Sequence, residues 1–272
     1  MAPDDRYIHG TDPDEQRRLA DLNTILNQES LAGLAVRPGD RVLEVGSGLG
    51  QLARAAARAA GVAVVGVERS AEQLARAREL AAADGELDLL DLRQGDAVAL
   101  PLAPGEWGSF DIAHARFLLE HVPDPQAVVD QMARAVRPGG RVVVEDDDHA
   151  VLRLWPEPPG VMQVWNAYIR TYDRLGCDPF VGRRLVSLLA SAGLAPRRID
   201  LLRFGACAAE PMFPALVANL IDILVGARAA ILDTAGCDQR TIDVAIESLR
   251  AFADRRDAVF WYTVSWAEAT RA

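Results

Sequence analysis

The sequence predicts the α/β class, with a seven-stranded, mostly parallel sheet, helices on both faces and further helices inserted late in the chain. Three observations predict it. Short β-branched runs alternate with Ala-, Leu- and Arg-rich stretches from Arg41 to Glu145, the rhythm of parallel strands joined by crossover helices. The first run, Val42-Leu43-Glu44-Val45, turns directly into Gly46-Ser47-Gly48-Leu49-Gly50 and then into a helical stretch. After Asp148 the alternation gives way to longer helical segments around Pro156-Glu157-Pro158-Pro159-Gly160.

Taken in order, Thr11 or Asp12 is suited to cap a helix that starts at Pro13, carries Leu19, Leu22, Ile25 and Leu26 on one face and ends near Ser30. Arg37-Pro38-Gly39-Asp40 makes the turn into the first strand. Further strands are expected over 62–67, 87–93, 109–114 and 141–145, with helices over 51–60, from the Ser70 cap to 83, and over 124–136. Beyond them come helices over 161–175 and 181–192, a sixth strand over 197–204, helical stretches over 211–232 and 238–257, and a seventh strand over 259–266. The expected organisation is an N-terminal helical cap (1–35), a ligand-binding core (36–150), and the remainder of the sheet (151–272) with lid helices at about 157–181 and 208–257.

Half of the 272 residues are apolar and a quarter charged, the balance of a globular chain. The formal charge of −10, with arginines scattered next to Asp and Glu, argues against a nucleic-acid partner. All 29 basic residues are arginine, which excludes Schiff-base, pyridoxal-phosphate and phosphate-loop lysine chemistry. No apolar run reaches the ~18–20 residues that span a bilayer, so no membrane partner is expected. The acidic start lacks the apolar core of a secretory signal. Cys177, Cys207 and Cys237 are widely spaced and in no metal-like pattern, as reduced thiols of a cytoplasmic protein would be.

A strand that turns sharply into a helix brings backbone N–H groups and the positive end of the helix dipole to the turn, and glycines there let a ligand lie on the backbone. A dinucleotide fingerprint needs a glycine at position 51, where Gln51 stands. Glu68 ends the second strand about twenty residues on, where a carboxylate reaches the ribose hydroxyls of a nucleoside. Asp96, after Gly95 at the end of the third strand, is placed to accept a hydrogen bond from an adenine amino group.

Together these pieces resemble the class I S-adenosylmethionine-dependent methyltransferases from about Val36 to His149. Leu43 to Gly50 is similar to that family's glycine motif, Val67-Glu68 to its ribose-binding acid, and Gly95-Asp96-Ala97 to its adenine contact. Leu100-Pro101-Leu102 with Ser109-Phe110-Asp111-Ile112 is similar to its fourth-strand entry, and Arg137-Pro138-Gly139-Gly140-Arg141 to its turn before strand five. The segment from Ala115 to Pro125 resembles the small-molecule branch, with its quinone-biosynthesis and natural-product enzymes, and Tyr7-x-His9-Gly10-Thr11 resembles that branch's cofactor-covering N-termini.

The resemblance implies a Rossmann-like sheet that binds S-adenosylmethionine and leaves S-adenosylhomocysteine as product. It assigns the glycine motif, with Glu44, Gly46, Ser47 and Gly48, and the second-strand region, with Glu68, Arg69 and Gln73, to the cofactor. Gly95, Asp96, Ala97, His114, Arg116 and Tyr7 complete that expected set. The expected reaction is methyl transfer to an O or C atom of a small, apolar or aromatic metabolite. The alternatives are a methyltransferase-like protein that uses bound cofactor for cyclisation or rearrangement, and a non-enzymatic binding module. A homodimer is left open.

A base is needed only where the nucleophile must lose a proton. His149, just past the fifth strand, is the first candidate, with Tyr7 and His121 beside it, and His121 also reads as a helix cap. Asp146-Asp147-Asp148 invites a metal, but adjacent carboxylates point in different directions, so no metal is expected.

Overall fold

The computed structural model describes residues 26–234 and 236–272, which divide into two compact units. Tyr7, His9, Thr11, Asp12 and Pro13 lie outside the described residues.

One unit comprises Asn27–Asp148, Phe180–Leu202 and Val264–Ala272. Its strands are β1 (Val42–Val45), β2 (Val64–Glu68), β3 (Leu90–Gln94), β4 (Phe110–Arg116), β5 (Val136–Asp147), β7 (Ala195–Arg203) and β10 (Thr263–Thr270), in the order β3-β2-β1-β4-β5-β10-β7. The first five pair in parallel, and β10 runs antiparallel to β5. The helices are α1 (described over 26–34), α2 (Gln51–Ala60), α3 (Ala71–Ala83), α4 (Pro125–Ala135) and α6 (Leu185–Ser191). Ser70 caps α3 by accepting the Gln73 N–H, and Asp124 caps α4 through the Ala127 N–H.

Side chains alternate across a strand, so β1 divides its residues between two environments. Leu43 and Val45 join Ala113, Ala115, Val142 and Val144 in one apolar cluster, while Val42 packs with Ile112, Val143, Leu52 and Trp266 on the other face. That second face also carries the ionisable Glu44, His114, Arg116 and Glu145, and the pairing of Glu44 with His114 and of Arg116 with Glu145 brings them side by side. Gly33 of α1 sits against Trp266, where an added Cβ would come within 2.7 Å of the ring.

The other unit contains His149–Pro179 and Arg203–Thr263. Here β6 (Arg153–Trp155), β9 (Val259–Trp261) and β8 (Ala206–Cys207) form a small antiparallel sheet in the order β6-β9-β8. Its helices are α5 (Val161–Ile169), α7 (Phe213–Gly226), α8 (Arg228–Leu232) and α9 (Gln239–Ala253).

The seventh strand expected over 259–266 is two strands in two sheets, β9 and β10, divided at Tyr262. Both halves suit a strand, and periodicity carries no record of which partner each half finds. The short strands β6 and β8 gave no signal, since two or three residues show no alternation. The helix expected over 161–175 tightens to 3-10 geometry at Arg170–Leu175, and that over 211–232 breaks at Ala227.

Gly33→Ala should destabilise the chain. Alanine gains about 1 kcal/mol of helix propensity, but forcing its methyl into the 1 % exposed Trp266 ring costs about 1–3 kcal/mol. Urea unfolding should show a net loss, and equal or greater stability would mean that α1 is free to shift.

Candidate functional site

The glycine turn at the carboxyl end of β1 is left-handed at each glycine, with φ of 74° at Gly46, 51° at Gly48 and 69° at Gly50. Space is as tight as the backbone: an added Cβ would lie 3.2 Å from Leu118 at Gly46 and 3.2 Å from the Gln73 side-chain oxygen at Gly48. The expectation of open amides is corrected here. Gly46 and Ser47 N–H both donate to Val67 O (2.8 and 3.0 Å), Gly50 N–H to Ser47 O (2.8 Å), and Gly48 N–H to Glu68 Oε2 (3.1 Å). The turn closes on the end of β2 and exposes a shaped surface more than a set of donors. Ser47 Oγ is buried there with no partner among the described residues.

Glu68 therefore has a structural duty that sequence reading missed. Its second oxygen accepts the Ser70 N–H (2.8 Å), so one carboxylate ties the glycine turn to the start of α3. Each oxygen retains a second lone pair for a further donor. Asp96, exposed after β3, accepts the Val98 N–H (3.1 Å) through Oδ1 and leaves Oδ2 without a partner among the described residues. Gly95 is required by Pro101, which an added Cβ would meet at 2.7 Å. Ala97 packs on the core, Arg69 is exposed and lends its carbonyl to the Gln94 side chain, and Gln73 is half-buried.

At the ends of β4 and β5 lies a buried ionic group. Glu145 accepts Ser30 Oγ–H (2.7 Å) and His114 Nε2–H (2.8 Å). Arg116 donates to Ser30 Oγ (3.0 Å) and to the Asn27 side-chain oxygen. Burial pulls the Arg116 guanidinium below its ordinary range, opposed by Glu145 and then Glu44. Glu44 itself is pushed up to about 7 by burial, with His114 and Arg116 lowering it and Glu145 raising it.

The three aspartates after β5 diverge. Asp146 Oδ2 accepts the N–H groups of Leu118 (3.1 Å) and Leu119 (2.7 Å), which holds the β4 exit over Gly46. Burial, then Glu120 and Asp147, hold its carboxyl well above the usual range. Asp148 takes a two-pronged contact from Arg183 (2.7 and 2.5 Å). Phe117 adopts a left-handed φ of 50°, a strained conformation for an aromatic residue, and its N–H is held by Glu145 O (3.0 Å). His121 lies 3.4 Å from Glu120 at the end of the following turn.

His149 belongs to the other unit and is 5 % exposed, not a solvated loop residue. Its Nδ1 lies 2.9 Å from the Tyr262 hydroxyl and its Nε2 3.2 Å from that of Tyr172, which in turn meets the Tyr168 hydroxyl at 3.0 Å. Trp165 Nε1–H donates to His149 O (2.8 Å) and its indole lies edge-on to the ring. The tyrosines were absent from the sequence-based candidates, because no local signal joins 149, 168, 172 and 262. Tyr7 lies outside the described residues.

The family described as "Methyltransferase domain" matches residues 43–144, the stretch that holds the glycine turn, Glu68, Asp96 and the β4 exit. Over these residues the chain is similar to S-adenosylmethionine-dependent methyltransferase domains. Among curated relatives, it is 35% identical over 153 residues to the 27-O-demethylrifamycin SV methyltransferase of Amycolatopsis mediterranei, covering 56% of this chain and 53% of that protein. It is 37% identical over 143 residues to the ubiquinone biosynthesis O-methyltransferase of Cupriavidus pinatubonensis, covering 50% and 53%. The chain thus spans about half the length of these relatives. The methyltransferase fold extends to the [4+2]-cyclase SpnF, a solved structure with a TM-score of 0.56 at 19% identity, over 90% of this chain and 80% of that one.

The turn geometry fits the cofactor of this family: a cradle that two added methyl groups would fill, a buried Ser47 hydroxyl without a partner, and the Glu68 and Asp96 carboxylates with lone pairs to spare.

The raised Glu44 acid also fixes a sign for stability. Between pH 4.5 and about 7 the unfolded chain has lost this proton and the folded chain keeps it, so stability falls as pH rises through that window. Glu44→Gln should flatten the decline, by on the order of 3 kcal/mol at its upper end. Urea unfolding from pH 4.5 to 8 reads it, and parallel curves for the two proteins would show that Glu44 titrates normally.

Proposed function

We propose that the chain transfers a methyl group from S-adenosylmethionine to an oxygen of a small, apolar or aromatic metabolite. One observation carries this reading most: the glycine turn bound by Glu68 to the end of β2, inside the matched methyltransferase domain. The relatives named for O-methylation of a rifamycin and of a ubiquinone precursor support oxygen as the acceptor atom and a small metabolite as substrate. The acidic balance and the absence of a disulfide among Cys177, Cys207 and Cys237 support a cytoplasmic protein without nucleic-acid partners.

The bound cofactor supplies an electrophilic methyl group. The residues of this chain hold and orient. Gly46, Ser47 and Gly48 bed the methionine part, with Glu44, His114 and Arg116 beneath it. Glu68 takes the ribose hydroxyls, Asp96 the adenine amino group, and Arg69, Gln73, Gly95 and Ala97 border them. Alignment alone supplies roughly 7–11 kcal/mol of the barrier.

The acceptor hydroxyl must lose its proton as its oxygen forms the new bond. His149 is the group we assign to receive it. The ring follows directly on Asp148, just beyond the carboxyl end of β5, and tyrosine hydroxyls at both nitrogens fix its orientation. His121, beside Glu120, is assigned to hold the β4 exit.

Incubation with methyl-labelled cofactor and a set of phenols and quinols should place label on oxygen. Tight cofactor binding without transfer to any acceptor would favour the non-methylating reading. His149→Gln should slow transfer about 10²–10⁴-fold for weakly acidic hydroxyls and leave acceptors that are already ionised nearly unaffected. An equal loss for both kinds of acceptor would remove it as the base. Glu68→Ala should weaken cofactor binding by about 1–3 kcal/mol. Unchanged affinity by calorimetry would take Glu68 out of the site.

A further inference from the structure

The seven-stranded sheet ends on β7, and no described strand lies beyond it. All of β7 is exposed apart from the half-buried Leu202, with Ile199 and Leu201 open to solvent at 66 % and 60 %. A long edge strand with exposed apolar residues is a template for another strand. Alternation sorts its side chains between two faces. Leu202 packs on the cluster around Trp266, and the Arg198 guanidinium lies 5.7 Å from the Trp266 ring, so Arg198, Asp200 and Leu202 share one face. Arg197, Ile199 and Leu201 take the other. The Leu201 N–H donates to the side chain of its neighbour Asp200 (2.9 Å), as a group on the open side of an edge strand does. The odd-numbered residues thus offer their backbone groups outward, and Pro196 turns its missing N–H inward.

Charge decides which strand fits this edge. A second copy of β7, running antiparallel, meets the first about a two-fold axis normal to the sheet. A residue and its symmetry mate then lie on the same face, so each residue stands opposite one of the same parity. Few registers remain. An axis at Arg197, Arg198 or Asp200 sets that charge against itself, which is repulsive. An axis at Leu201 sets Asp200 against Leu202 and pairs no charges. An axis at Ile199 sets Ile199 against itself and Arg198 against Asp200 of the second copy, twice by symmetry.

The last register is favourable on both faces. Arg198 already attracts Asp200 within one chain, Nη2 to Oδ2 at 2.6 Å, and both side chains are about half exposed and free to exchange partners. With the odd-numbered residues making the ladder bonds, Arg198 and Asp200 occupy the pairs whose side chains approach most closely. On the other face Leu201 lies against the aliphatic stem of Arg197. The two Arg197 charges stand four residues apart along the pair, roughly 13 Å, beyond the Debye length of about 8 Å.

We propose that β7 is a homodimerisation edge, on which two copies pair antiparallel about Ile199 with reciprocal Arg198–Asp200 ion pairs, so that two seven-stranded sheets continue as one. The inference is independent of the methyl-transfer reading.

Sedimentation of the full-length protein tests it. Strand pairing alone covers less than a standard interface, so a dimer of micromolar affinity is expected. Wild type should pass from monomer to dimer as its concentration rises from about 1 to 100 µM. Arg198→Asp and Asp200→Arg should each weaken the dimer about tenfold or more, since each turns two attractive pairs into two repulsive ones. Mixed in equal amounts, the two variants should associate with each other as wild type does, because one chain then offers two aspartates and the other two arginines. The double exchange Arg198→Asp, Asp200→Arg in one chain should likewise restore the dimer, which separates lost complementarity from lost folding. A wild-type monomer throughout the concentration range overturns the proposal, including the case in which residues 1–25 cover the edge. A dimer that neither single variant weakens, or weakened variants that neither mixing nor the double exchange restores, overturns it as well.

Discussion

A half-buried guanidinium and a fully buried carboxylate that share Ser30, Arg116 and Glu145, are the constraint on which the core unit depends. Taking such ions out of water costs several kcal/mol each, and their attraction offsets this only if the remaining donors and acceptors are also met. Asn27, Ser30 and His114 meet them. Those partners lie on α1 and β4, so satisfying the two ions seats α1 and sets β1, β4 and β5 in register. Gly33 against Trp266 permits the close approach that Ser30 needs.

The same arrangement shapes the glycine turn. Glu145 lends its carbonyl to Phe117, whose left-handed backbone costs on the order of 1–3 kcal/mol. Asp146, the next residue, holds the following two amides with its side chain. Strain at Phe117 is thus fixed on both sides, and Leu118 is pressed over Gly46, where an added Cβ would lie 3.2 Å from it on a left-handed backbone. Adjacent residues of β5 face opposite ways, so one serves the ionic group and the next serves the turn.

In the other unit the buried histidine has a different setting. Tyrosine hydroxyls meet both nitrogens of His149 and aromatic rings lie edge-on to it, which orients the ring. Glu44 lies beside His114, Arg116 and Glu145, and burial pushes its carboxyl up to about 7.

The amino-acid order by itself determined the alternation of strands and helices, the glycine turn with Gln51 beyond it, the Ser70 and Asp124 caps, and the positions of Glu68 and Asp96 at strand ends. Periodicity, capping and turn chemistry act between near neighbours, so they are written in the chain. Only the tertiary structure decided that Glu68 ties the turn to α3, that Asp146 holds the β4 exit, and that 259–266 divides between two sheets. It alone joined Glu44, His114, Arg116 and Glu145 to Ser30, and His149 to three tyrosines. The reason is physical: these contacts depend on which strands become neighbours and which face each residue takes. Hydrogen-bond partners so distant in sequence leave no local pattern by which to find one another.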